Sequence, residues 1–144
     1  MASNRLFARR RDGRLEVRLN DAGRSVLRAV FSQVVAAERD TNHEWHLSLQ
    51  SPINPGRDAD DPVAVLARQV GTSTNAELAL ASVHEQFLTD VEAWAWLTSL
   101  QVALRSVAVS QGILSEERLA AAEDELRQQI ATLQLLLVSL AECL

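Results

Sequence analysis

Apolar residues recur at three- and four-residue steps through Val91, Trp94, Leu97, Leu100, Leu104 and Val107, the spacing of one helix face. Ala95, Trp96, Val102, Ala103 and Val109 fill much of the remaining circumference. A helix over about 90–111 is therefore expected to be apolar nearly all round and to lie in the middle of the fold. A narrower stripe, Val26, Leu27, Val30, Phe31, Val34 and Val35, predicts a second helix over about 21–39. Near the N-terminus the period changes to two. Leu15, Val17 and Leu19 alternate with Glu16 and Arg18, and Leu6 and Ala8 precede them across Asp12-Gly13. That pattern predicts a β-hairpin over about 5–19 with a type I′ turn.

Punctuation sets the other boundaries. Asn20 or Asp21 can cap the first helix. Asp61-Pro62 starts a short helix over about 62–70 that Gly71 stops. Thr74 with Glu77, and Thr89 with Glu92, make two capping boxes, for helices over about 75–88 and 90–111. Gly112 ends the latter, and Ser115 caps a last helix over about 116–142. Residues 40–61 read as a loop with Pro52, Pro55 and Gly56, containing at most a weak strand through Trp45, Leu47 and Leu49. The expected architecture is a single domain over 1–144, mostly α: a helical bundle around a buried central helix with an N-terminal β-hairpin. Trp94, Leu97, Leu104, Phe31 and Phe87 are the expected core.

The last helix carries seven-residue spacings through Leu119, Leu126, Leu133 and Leu140, and through Ile130, Leu137 and Leu144. A heptad seam suits a helix–helix contact or a dimer. Leu135, Leu136 and Val138 add apolar surface beside it, so Leu126, Ile130, Leu133, Leu137 and Leu140 are the expected homodimer interface.

Charge is uneven. Residues 1–28 hold eight arginines against three acids, while the whole chain carries a net charge of −5. All basic residues are arginine. A basic end on an acidic body suggests a polar interaction surface. Arg9, Arg10, Arg11, Arg14 and Arg18 are the candidate binding residues, for an acidic protein surface or for phosphates. The acidic body disfavours nucleic acid. No run of about 18 apolar residues is free of polar interruption, so no membrane span is expected. No apolar segment follows the arginine-rich start, so no signal peptide is expected either. Cys143, the single cysteine, excludes an intramolecular disulfide and points to the cytoplasm.

Chemistry is thin. His43 and His46 with Glu44 form an H-x-x-H cluster, but the surrounding alternation is extended, which separates the two rings. His84 and Glu85 stand inside an expected helix without a nucleophile nearby. Phosphate-loop, nucleophile-elbow and Cys-x-x-Cys motifs are missing. No catalytic residue, metal site or cofactor is assigned, and no enzymatic activity is expected.

The order of parts resembles an actinobacterial family known as a domain of unknown function. The resemblance runs through the hairpin FARRRDGRLEVRL, the segment DPVAVLARQ, the helix EAWAWLTSLQVALRSVAVSQGI and the apolar final helix. Where that family carries a polar Asn-Asp-x-Arg segment, this chain has Gln101-Val102-Ala103-Leu104, with Arg105 one place later. The family includes AosR-like oxidative-stress transcriptional regulators acting with a sigma factor. The resemblance therefore implies regulation of transcription. The residues themselves suggest a cytoplasmic, non-enzymatic, homodimeric regulatory or interaction protein. The alternative is a transcriptional regulator contacting DNA or a sigma factor through the arginine hairpin.

Overall fold

A computed structural model describes residues 6–40, 43, 45, 75–112 and 116–144. The helix expected over 62–70, most of the 40–61 loop, Thr74 and Ser115 lie outside the described residues. The chain is mostly helical, with one small antiparallel sheet at its N-terminal end. In order, the described elements are β1 (Phe7–Arg9), β2 (Leu15–Val17) and α1 (Asp21–Arg39). A helix over residues 75–81, here α2, precedes β3 (Phe87–Leu88). Then come α3 (Asp90–Ser110), α4 (Glu116–Ala121) and α5 (Asp124–Ala141).

Local chemistry explains most of these limits. The Asn20 side chain accepts a hydrogen bond from the Gly23 amide at 2.8 Å and caps α1. Thr89 and Glu92 close a reciprocal capping box on α3. Beyond the far end of α3, Gly112 sits at φ +68°, in the left-handed region that ends helices.

The hairpin turn corrects the sequence reading. A type I′ turn needs positive φ at two positions, yet Gly13 alone has it here, at +89°. The Gly13 amide donates to the Arg10 carbonyl, and the Arg10 amide to the Arg14 carbonyl. This is a three-residue loop in which Asp12 keeps an ordinary conformation and Gly13 absorbs the twist. Phe7 pairs with Val17, and Arg9 with Leu15.

Two helices are shorter than their apolar pattern suggests. The one expected over 75–88 ends at residue 81. Ser82 turns its hydroxyl back onto the Leu78 and Ala79 carbonyls, a bond that competes with helix continuation. The chain then extends, and Leu88 pairs with Leu15 and Phe87 with Glu16, making β2 the middle strand of the order β1-β2-β3. The helix expected over 116–142 is broken between Ala121 and Asp124. Three successive acids, Glu123, Asp124 and Glu125, favour a fresh helix N-terminus there.

The core forms where α3 packs between α1 and α5. Trp96 is its centre, fully buried, with Phe7 and Phe31 edge-on at 6.3 Å and 5.6 Å. Its indole N–H donates to the Ser82 hydroxyl at 2.8 Å. Four elements or turns thus meet on one side chain: β1, α1, the end of α2, and α3. The expected core residue Trp94 is instead 54% exposed, and Val91 is 69% exposed. The buried arc of α3 runs through Ala93, Trp96, Leu97, Leu100, Ala103 and Val107, a face rotated away from the one the Val91–Trp94 spacing marks. Phe31 and Leu97 are buried as expected, while Leu104 and Phe87 are half-buried.

Candidate functional site

Strand alternation divides the hairpin arginines between two sides. Phe7, Leu15, Val17 and Leu88 face the core. Arg10, Arg14, Glu16, Arg18 and Phe87 therefore lie on the outer face. There the Arg14 guanidinium sits 4.5 Å above the Phe87 ring and that of Arg10 sits 5.8 Å above it, both within cation–π range. Phe87, expected in the core, is the half-buried floor of this arginine cluster.

Each outer arginine also has an acid. Arg14 donates twice to Asp12, from Nε and from one terminal nitrogen, at 2.9 and 2.7 Å. Glu16 takes Arg10 on one oxygen and Arg18 on the other. The Arg14 hydrogen bond holds the Asp12 carboxyl below its ordinary range, and the Arg18 hydrogen bond does the same for Glu16. Arg14 is raised in turn by Asp12. Both acids are thus held as carboxylates, and much of the cluster's positive charge is neutralised within the hairpin.

Arg9 turns the other way. It donates to the Asp90 carboxylate at the start of α3 (2.8 Å), to the Gly13 carbonyl (2.6 Å) and to the Cys143 carbonyl (3.2 Å). It clasps the hairpin, the first turn of α3 and the end of the chain together. Arg11, at the tip, is exposed and has no ion pair or hydrogen bond among the described residues. Arg9, Arg10, Arg11 and Asp12 line an open depression. The five arginines therefore form a three-arginine outer face, one clasp and one free tip.

The expected dimer seam is accounted for inside one copy. Ile130, Leu133 and Leu140 are buried and belong to the α5 face that packs on α3. Leu126 and Leu137 are half-buried at the margin of the same core. Ile130, Leu133 and Leu140 thus meet α3 of the same copy, while Leu126 and Leu137 keep part of their surface open. The exposed large apolar residues of α5 are Leu135 and Val138.

Larger apolar exposure lies on α3. Val91, Trp94, Thr98, Gln101, Arg105 and Val109 follow three- and four-residue steps and form one outward stripe. Val91, Trp94 and Val109 are its exposed apolar members. Only α3 combines a large exposed aromatic with this continuity among the described helices.

The remaining candidates are structural or peripheral. The His43 ring is 5.6 Å from that of Trp45, and its Nδ1 accepts the Trp45 amide at 3.1 Å. His46 and Glu44 lie outside the described residues, among which no group of three potential metal ligands occurs. His84 and Glu85 are exposed in the turn after α2 rather than inside a helix. The Cys143 thiol donates to the Phe7 carbonyl at 3.4 Å. The sequence reading missed Arg24. Its guanidinium donates to the carbonyls of Val83, Glu85 and Val17, tying α1 to the turn before β3 and to the end of β2. No local motif marks it, because its three acceptors are backbone atoms.

No described helix is long and apolar enough to cross a membrane. In comparisons with known proteins, the chain matches no family model, no curated protein and no solved structure.

Proposed function

We propose that this protein is a non-enzymatic, cytoplasmic interaction protein of the regulatory kind, working through protein–protein contact. The observation that carries this reading is the outer stripe of α3, where Trp94 is 54% exposed. A Trp–Val pair standing in water forgoes a large transfer free energy that a partner surface would recover. The ionised hairpin carboxylates support the same reading, because Asp12 and Glu16 serve as arginine partners rather than as poised acids or bases.

A photocrosslinking amino acid at position 94, compared with one at exposed Gln128 on α5, tests it in cells making the protein. A discrete protein adduct from position 94 alone is the expected result. No adduct from position 94 would overturn the reading.

Arg11 and the outer arginines favour a second reading, transcriptional regulation through DNA or an acidic protein such as a sigma factor. Titration with a duplex at low salt discriminates within it. Salt-sensitive binding abolished by R10A/R11A/R14A would establish nucleic-acid contact.

A further inference from the structure

The hairpin tip holds hydrogen-bond donors that the fold leaves unused. Arg9, Arg10, Arg14 and Arg18 share three acids, Asp12, Glu16 and Asp90, and Arg11 has none. Two positive charges are therefore left over among these described residues. Arg9, Arg10 and Arg11 line a depression of about 400 Å³ at the tip. Asp12 also lines it, but both of its carboxylate oxygens accept from Arg14. Arg9 engages Nε and one terminal nitrogen on Cys143, Gly13 and Asp90. Its other terminal nitrogen has no acceptor among the described residues. Because three contacts already fix this side chain, little rotamer freedom is lost when that nitrogen takes a ligand. Arg10 engages one terminal nitrogen on Glu16, with its guanidinium over the Phe87 ring. Its Nε and second terminal nitrogen have no acceptor among the described residues. Arg11 is exposed and keeps all its N–H donors.

Planar guanidiniums around one concavity suit a tetrahedral oxyanion. A phosphate monoester offers three terminal oxygens and close to two negative charges near neutral pH, which matches the surplus at the tip. A duplex instead spreads single charges along a line. The tip is bordered by Asp12, Glu16 and Asp90, on a chain of net charge −5, which disfavours such a polyanion. We propose that the depression formed by Arg9, Arg10 and Arg11 is a binding site for a phosphate monoester dianion. Arg11 supplies the unpaired charge, Arg10 a second set of donors, and Arg9 a fixed donor at the wall. The site does not rest on the α3 stripe, and its tests leave Trp94 untouched.

NMR signals of the arginine Nε–H groups and backbone amides, followed at low ionic strength and about pH 8, where the ester is a dianion, test the site. The probes are inorganic phosphate and a short phosphoserine peptide whose other residues are neutral, with its unphosphorylated form beside it. Saturable shifts confined to residues 9–12 are expected. They should weaken at about pH 5, where the ester carries one charge while Asp12 and Glu16 stay ionised. R11A removes no contact described in the fold and should bind about tenfold more weakly, the loss of one charge-assisted contact. R11K should recover part of that loss. R127A, at an exposed arginine on α5, should bind as wild type does.

Inorganic phosphate binding as tightly as the phosphopeptide supports the site with a small-molecule ester as its ligand. Tighter binding of the phosphopeptide, lost in its unphosphorylated form, supports it with a phosphorylated side chain. Shifts that chloride reproduces at equal ionic strength, or that R127A reduces as much as R11A, mean general screening and overturn it. Tighter binding of a short duplex than of the phosphopeptide, at equal phosphate concentration, overturns it in favour of nucleic acid. Absence of any phosphate binding overturns the site and leaves the α3 reading standing.

Discussion

Trp94 and Trp96 stand two positions apart on one helix and meet opposite environments. Trp96 is enclosed by Phe7 and Phe31, and its N–H is satisfied by Ser82. Trp96→Ala should cost about 3–5 kcal/mol, the usual range for emptying a buried aromatic site, read as a fall in the denaturation midpoint. Ser82→Ala leaves the indole donor buried without an acceptor and should cost about 1–3 kcal/mol by the same measurement. Ser99 is the converse case. It is buried on α3, and its hydroxyl oxygen has no hydrogen-bond partner among the described residues, so Ser99→Ala should be neutral or stabilising in thermal melts.

The hairpin acids respond to pH with a definite sign. Asp12 and Glu16 have folded-state values below their ordinary 3.8 and 4.5. Their contribution is complete above those ordinary values and is lost as pH falls through the lower folded ones. Because Asp12 and the arginines paired with Glu16 are exposed, the effect on global stability should be small. NMR titration should show both carboxyls protonating below the ordinary values, and R18A should bring Glu16 back up.

At the scale of elements, the joints between helices and sheet depend on arginines bonded to backbone carbonyls. Arg24 fastens α1 to the turn before β3 and to the end of β2. Arg24→Lys keeps the charge but has neither the planar fork nor the number of donors. It should lower hydrogen-exchange protection in β2 and β3 more than in α5. A uniform change across all elements would contradict that local role. Arg9 does the corresponding work between β1, α3 and the end of the chain. On α5, Leu133 is buried against α3. Leu133→Glu should therefore unfold the protein, and folded monomers of that variant would show the seam to be an intermolecular contact after all.

At the scale of the whole molecule, one small sheet and three longer helices enclose a core centred on α3. Among the described residues, two surfaces outside it stand out: the arginine face on the sheet and the apolar stripe on α3. The first is largely neutralised by its own acids, while nothing described covers the second. This contrast is why we propose the central helix, rather than the hairpin, as the working surface.

Periodicity and capping chemistry are local, so they were readable along the chain. A cap at Asn20 or Asp21, the Thr89 cap, the Gly112 stop, the alternation in Leu15–Val17 and the mostly helical class with its hairpin all follow from near neighbours. Which face of an evenly apolar helix turns inward does not. Val91–Trp94 and Ala93–Trp96 are equally good stripes on α3, and the choice was made by Phe7, Phe31 and Ser82 closing around one indole. The heptad of α5 likewise specifies a partner helix without saying whose. Phe87 became the floor of an arginine cluster because a strand pairing with Glu16 ended α2 early. Charge pairing across the fold, as in Arg9 with Asp90, depends on contacts many residues apart. Local pattern dictates what an element is, while the competition among long-range contacts decides what it faces.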